Sequence, residues 1–193
     1  RDNNLGLVTQ ASINGYAPVE HWDAVANVAS AHAEVIAVAP FIHFQAMAVW
    51  HGESEAILVQ GVDPAAEQRV SIIDRFIKQG SFAALASEPN GIVVGAPLAK
   101  ALNLKVGDTF SLIVPQPDQS LSQAPSVQRV EVVALFDSGT EMDRKMAICN
   151  LGLAAALMHY GDAVQGVRLR VDDLFAATRI ANEILNQLPD GFF

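Results

Sequence analysis

Apolar and polar positions alternate along much of this chain, and the period changes several times. LGLVTQASI (5–13) alternates closely enough to predict a strand. From Pro18, apolar residues return through Trp22, Val25 and Ala29, an amphipathic stripe that predicts a helix over 18–32 with Pro18 at its first position. Two longer strand-like runs follow, 35–50 and 54–62, separated by HGES with Gly52 supplying the turn. Asp63-Pro64 ends that hairpin, and 64–80 reads as a helical or irregular stretch closing at Gly80.

GIVVG (91–95) predicts a short buried strand, and a helix from Ala96-Pro97 to about Asn103 carries Leu98, Ala101 and Leu102 inward. TFSLIV (109–114) and RVEVVALF (129–136) are strands; in the second, Val130, Val132, Ala134 and Phe136 share one face, while Arg129, Glu131 and Val133 share the other. KMAICN (145–150) is another strand, with Asn150 as N-cap of the helix LGLAAALMHY, which Gly161-Asp162 breaks. QGVRLRV (165–171) is the last strand. Asp172 or Asp173 is expected to cap a final helix whose buried stripe is Ala177, Ile180, Ile184 and Leu188. Strands and helices are mixed without a regular βαβα alternation, which predicts an α+β fold.

One connection is out of proportion. VPQPDQSLSQAPSVQ joins two strands with about a dozen residues rich in Pro, Ser and Gln, where two to five usually suffice. Pro115, Pro117 and Pro125 lack backbone donors and favour extended backbone, and Leu121 is the lone large apolar residue near the tip. Two readings follow: a solvated loop, or a proline-stiffened arm at 115–127 that loses less entropy when it docks on a partner.

Composition narrows the classes. The net charge is −9 and the basic residues are scattered, so nucleic acid and anionic surfaces are repelled at long range. The single cysteine, Cys149, excludes a disulfide framework and reads as a small core hydrophobe. No apolar run reaches the length of a membrane helix; the nearest, 35–50, is broken by Pro40, His43 and Gln45. The chain starts at Arg1 and stops at GFF, which reads as a segment of a longer protein.

No catalytic constellation emerges: there is no G-x-S-x-G, H-E-x-x-H, P-loop or G-x-G-x-x-G. The expectation is a non-enzyme with no bound cofactor and no metal. His43 and His51 could meet across a hairpin, but two histidines without a third ligand make a poor metal site. Glu141 and Asp143 are expected in a solvated loop. Phe41, Phe44, Met47 and Trp50 place apolar bulk on both faces of the 35–50 strand, with Phe44 and Trp50 opposite Phe41; they belong either to the core or to an apolar, substrate-facing surface.

GIVVGAPLAKALNLKVGDTFSLIVP, the Pro-containing arm and QRVEVVALFDSG together resemble the periplasmic domain of the lipoprotein-releasing ABC transporter permeases, the LolC/LolE family. ILVQGVDPAAEQRV, APFI at 39–42 and GDAVQGVRLRVDDLFAATRIANEI resemble it too, in the family's order and over nearly the whole chain. GVDPAAEQRVS, IVPQP and DAVQGVRLRVDDLFAA are more similar to the LolE type. Gln128-Arg129 resembles the base of the arm that, in the LolC type, grips a periplasmic chaperone, whereas Ser111 departs from the basic residue of that pattern.

The resemblance implies a MacB-like periplasmic core domain with two subdomains. A membrane-proximal α/β (porter-like) subdomain would comprise 1–62 and 163–193. An inserted β-rich subdomain, 63–162, would carry the arm. It implies transmembrane helices before and after the segment and location in the periplasm at the bacterial inner membrane. ATP would be bound by a separate cytoplasmic subunit, where the ATPase activity resides. The other implied partners are a LolC-type or identical permease, a periplasmic lipoprotein chaperone and the lipoprotein substrate. The alternatives are a MacB-like efflux permease domain acting by mechanotransmission and, further off, a soluble hydrolase or ligand-binding protein.

Overall fold

Among the described residues nine strands join in one hydrogen-bonded sheet, and six of them close a ring. The computed structural model describes residues 10–115, 124–173 and 175–193. Its strands are β1 (Gln10–Val19), β2 (Val35–Trp50), β3 (Glu53–Val62), β4 (Ile77–Gly80), β5 (Gly91–Gly95), β6 (Thr109–Val114), β7 (Ser126–Phe136), β8 (Met146–Asn150) and β9 (Val164–Val171). Its α-helices are α1 (Trp22–Ser30), α2 (Pro64–Val70), α3 (Ala96–Leu102), α4 (Leu151–Met158) and α5 (Ala177–Leu185). The fold is α+β, as the irregular alternation implied.

The long strand β2 organises the rest. Along one edge it pairs with β3 from Phe41 to Trp50. Along the other it pairs first with β9 (Val35–Phe41) and then with β6 (Met47–Val49). The ladders β3–β8, β8–β5, β5–β7 and β7–β6 complete a circuit back to β2. Closure leaves these strands without a free edge over the ring.

Alternation along the strands, shifted once within β7, then sorts the side chains. Phe44, Ala46, Ile57, Val59, Ile92, Val94, Phe110, Leu112, Val130, Val132, Ala147 and Cys149 are buried together inside. Outside, Phe82, Leu85, Val93, Val133, Phe136 and Ile148 form a second cluster under the 3₁₀ turns Ile73–Phe76 and Phe82–Ala86. β1 and β9 extend the sheet beyond the ring, and α1 and α5 cover it through Val25, Ala29, Ile180 and Ile184. The segments 1–62 with 163–193 and 63–162 are therefore joined by strands β2 and β3, which pair with partners on both sides of those boundaries.

Local chemistry sets the helix ends. Asp63 accepts the N–H of Ala66 (2.9 Å) ahead of Pro64, and Asn150 accepts that of Leu153 (2.8 Å), so the expected Asn150 cap is present.

Four expectations change. In β7 a register shift opposite Ile92 and Val93 splits the expected face: Val130 and Val132 are buried inside the ring, while Ala134 and Phe136 pack with Val133 in the outer cluster. Pro18 lies in β1, and α1 starts at Trp22; an irregularity between Asn14 and Val19 accommodates the proline, which donates no ladder bond. Neither Asp172 nor Asp173 caps α5, which begins at Ala177; Asp173 instead accepts the N–H of Phe175 (2.9 Å) in a local turn. In α3 the buried set is Leu98, Ala99 and Leu102, and Ala101 is exposed, because the helix packs beside β5 and the 141–144 turn.

Candidate interaction site

Ring closure at the β2–β6–β7 junction decides what surrounds the arm. Met47 faces Ile113 across β2–β6, and Ile113 faces Val127 across β6–β7. These three side chains lie on the outer face, because Leu112 and Ala48 on the same strands point inward. Met47 is 37% exposed and Val127 63% exposed, so an apolar row crosses the outside of the barrel at the root of the arm. The next row is Val49, Ser111 and Arg129.

The apolar row continues into a shallow recess of about 380 Å³ lined by Met47, Ala56, Leu58, Pro115, Met142 and Lys145, among others. Met142 is 56% exposed at its rim. Methionine side chains are unbranched and adapt to irregular apolar partners.

The loop carrying Met142 is held by Asp143. Its carboxylate is buried and accepts the backbone N–H groups of Ser138 (2.8 Å), Gly139 (3.0 Å) and Thr140 (3.4 Å). It also accepts the hydroxyls of Ser138 (2.6 Å) and Thr140 (3.3 Å). This corrects the expectation of a solvated Asp143: local hydrogen bonds draw the carboxylate in while Glu141 stays exposed. Gly95 lies directly beneath, and a Cβ there would collide with the Asp143 carbonyl.

The predicted arm residues distribute as follows. Pro115 and Pro125 are exposed at the arm's two ends; Pro117 and Leu121 lie outside the described residues. Arg129 donates from Nη2 to Thr109 Oγ1 (2.7 Å), across the β6–β7 ladder. Gln128 donates from Nε2 to the Arg129 carbonyl (2.9 Å) and to Asn90 Oδ1 (3.4 Å). Both therefore brace the arm's root.

Of the four aromatic and Met positions on β2, Phe41 and Phe44 are buried and Trp50 is half-buried against the core, leaving Met47 as the exposed one. Sequence reasoning did not single out Ile113, Val127 or Met142. The alternation of β6 and β7 could have placed the first two outward, but no local signal announces Met142.

A second constellation lies where β2, β3 and β9 meet under α2. Arg168 Nη1 donates to Glu67 Oε1 (2.7 Å), and Nη2 lies 3.5 Å from His43 Nε2. The Gln60 amide, with its oxygen toward the guanidinium, accepts from Nη1 (2.7 Å) and Nη2 (2.5 Å). The guanidinium also sits 5.5 Å from the centre of the Phe41 ring. Burial, reinforced by the Arg168 charge, pushes the His43 imidazole down to about 4. Burial raises the Glu67 carboxyl, with Arg168 opposing. His43 pairs with Gln60 across β2–β3, whereas His51 occupies the exposed hairpin turn, so the two histidines do not meet.

On the opposite face His32, Glu34 and Glu183 bring ligand atoms within 4.8 Å of one another. Arg179 occupies this set, donating to both oxygens of Glu34 (2.8 Å each) and to Glu183 Oε1 (2.8 Å), while His32 Nε2 meets Glu183 Oε2 at 2.9 Å. That arrangement is an ion-pair network tying α5 to the start of β2.

The fold is α+β and built on a six-stranded ring, with Pro115 and Pro125 at the two ends of the β6–β7 connection. A family model described as the MacB-like periplasmic core domain matches residues 1–187, and the chain belongs to that family. It is 28% identical over 178 residues to the lipoprotein-releasing system transmembrane protein LolE of Haemophilus influenzae, a match covering 91% of this chain and 42% of that protein. It is 28% identical over 191 residues to a LolC of the same system in Xylella fastidiosa, covering 97% and 46%. The chain thus spans less than half the length of these curated relatives.

Among solved structures, the periplasmic region of MacB from Actinobacillus actinomycetemcomitans superposes with a TM-score of 0.62 at 14% identity, covering 100% of this chain and 91% of that one. The extracellular domain of the ABC-type transporter YknZ from Gram-positive bacteria gives 0.59 at 13%, covering 95% and 97%. Among the described residues no helix is long and apolar enough to cross a membrane.

Proposed function

We propose that this chain is the periplasmic part of an ABC permease that extracts lipoproteins from the inner membrane and passes them to a soluble periplasmic chaperone. The observation that carries the reading is the apolar row Met47–Ile113–Val127 at the root of the arm, in a chain similar over nearly its whole length to lipoprotein-releasing permeases.

The domain performs no covalent chemistry. A separate cytoplasmic subunit binds and hydrolyses ATP, membrane helices outside this segment move, and the closed barrel transmits that motion to the arm as a rigid body. A lipoprotein's acyl chains are costly to expose, at about 0.8 kcal/mol per CH₂, so the hand-over proceeds under cover of protein. The arm and the adaptable Met47–Met142 recess supply the chaperone contact, with a LolC-type or identical permease as the second wall.

A photo-activated crosslinker at Val127 in the intact transporter tests this reading. The expected product is an adduct with the periplasmic lipoprotein chaperone. Absence of that adduct during active release removes the proposed contact.

A further inference from the structure

A hollow opens where β1 leaves its register with β9. Asn14 faces Gly166, and the next pair along is Val19 with Val164. Residues 15–18 of β1 thus stand against Gln165 alone, and the surplus backbone bulges out of the ladder. Pro18 donates no ladder bond, and a Cβ on Gly15 would collide with the Ala17 carbonyl and the Val19 side chain. The segment 187–192 is fastened beside the bulge: Tyr16 N donates to Gly191 O (3.0 Å) and Gly15 bridges Phe192. Between the bulge, this segment and α1 lies a hollow of about 570 Å³. Small-molecule sites commonly hold about 300–1,000 Å³.

The lining combines an apolar floor with negative charge. Val25, Val28, Leu188 and Phe192 supply the apolar surface, and Val25 is buried. Tyr16 lines the hollow too; it is 75% exposed, with its ring centre 4.7 Å from that of Phe193. Glu20 reaches the hollow from the turn before α1 and Asp190 from the segment after α5, and both are exposed. The other polar side chains of the lining are His21 and Gln187. Among the described residues neither carboxylate has an ion-pair partner, and no lysine or arginine lines the hollow.

This combination discriminates by charge as well as by shape. An anionic ligand is repelled by Glu20 and Asp190, and the net charge of −9 adds to the repulsion. A neutral apolar molecule gains from the floor alone. A cation with an apolar part gains from the floor, from both carboxylates and from the aromatic face of Tyr16. We propose that the hollow is a binding site for a small amphipathic cation, an alkyl- or arylammonium whose apolar part lies on Val25, Val28 and Leu188 and whose head is held by Glu20, Asp190 and Tyr16. β9 and β2 separate β1 from β6 in the sheet, so the site is distinct from the root of the arm and requires nothing of lipoprotein hand-over.

The test uses the full-length permease in maltoside micelles, with hexyltrimethylammonium as the probe and hexanesulfonate as its anionic counterpart. Ligand-observed saturation-transfer NMR reads binding, with empty micelles as the blank. Saturable binding of the cation is expected, roughly tenfold or more tighter than that of the sulfonate and weakening as salt is raised. Ala24→Trp, at an exposed position of α1 on the hollow, is expected to abolish it by filling the space. Glu20→Gln combined with Asp190→Asn keeps the shape, removes the charge and is expected to weaken binding roughly tenfold.

No saturable binding of the cation, or binding of the sulfonate as tight as that of the cation, overturns the proposal on the unaltered protein. Binding that survives Ala24→Trp places the probe elsewhere and overturns it as well. Binding unchanged in the double variant overturns the assignment of Glu20 and Asp190, both exposed and replaced by near-isosteres that leave the fold in place.

Discussion

Arg168 on β9 and Glu67 on α2 are a hydrogen-bonded ion pair, Nη1 to Oε1 at 2.7 Å, with side chains only 12% and 3% exposed. Removing one member leaves the other charge buried, a change that costs about 3–5 kcal/mol. Arg168→Met is expected to lower the unfolding free energy by that amount, read as a lower urea midpoint at unchanged slope. The double variant Arg168→Met, Glu67→Leu is expected to recover most of the loss, because the uncompensated carboxylate is gone.

Asp143 organises the loop that presents Met142. Asp143→Ala strands three backbone N–H donors and is expected to cost about 2–3 kcal/mol in denaturant unfolding. Asp143→Asn keeps an acceptor and is expected to lose less. In the alanine variant, protease cleavage within 138–144 should accelerate more than cleavage elsewhere.

The His43 shift has a defined sign. Its folded value is about 4 against an ordinary 6.5, so between those values the unfolded chain binds the proton and the folded chain does not. Its contribution is fully present above pH 6.5, is lost as pH falls toward 4, and does not change further below. The slope approaches about 1.4 kcal/mol per pH unit. Glu67, raised above 4.5, acts oppositely at the acid end, since its folded carboxyl holds the proton more tightly than the unfolded one. Denaturation from pH 7.5 to 4.5 should show stability falling with pH, and His43→Gln should flatten that fall.

Cys149 faces the barrel interior and burial pushes its thiol up to about 12. A thiol reagent at neutral pH is expected to label it only at the global unfolding rate, as read by mass spectrometry. Rapid labelling of folded protein would mean that the barrel opens locally between β5 and β8.

Much of this fold was legible in local pattern. The β2–β3 hairpin, GIVVG and the Asn150 cap followed from alternation and turn chemistry, which act over a few residues. The misses share a cause. Pro18 suits a helix start as well as an irregular strand, and only the β1–β9 register decides. Asp143 looked like any acidic loop residue until the loop folded around it. Arg168 and Glu67 are 101 positions apart, and the closure of β2 on β6 joins strands with no shared local signal. The arm itself stood out by length and proline content, while its apolar root required the register of three strands.

The most direct measurement of the central claim is transfer of a triacylated lipoprotein from proteoliposomes to the soluble chaperone, driven by ATP. It compares the complete transporter with one lacking 116–127. The account predicts that transfer is lost while ATP hydrolysis by the cytoplasmic subunit persists. Transfer at the undiminished rate without those residues would contradict it.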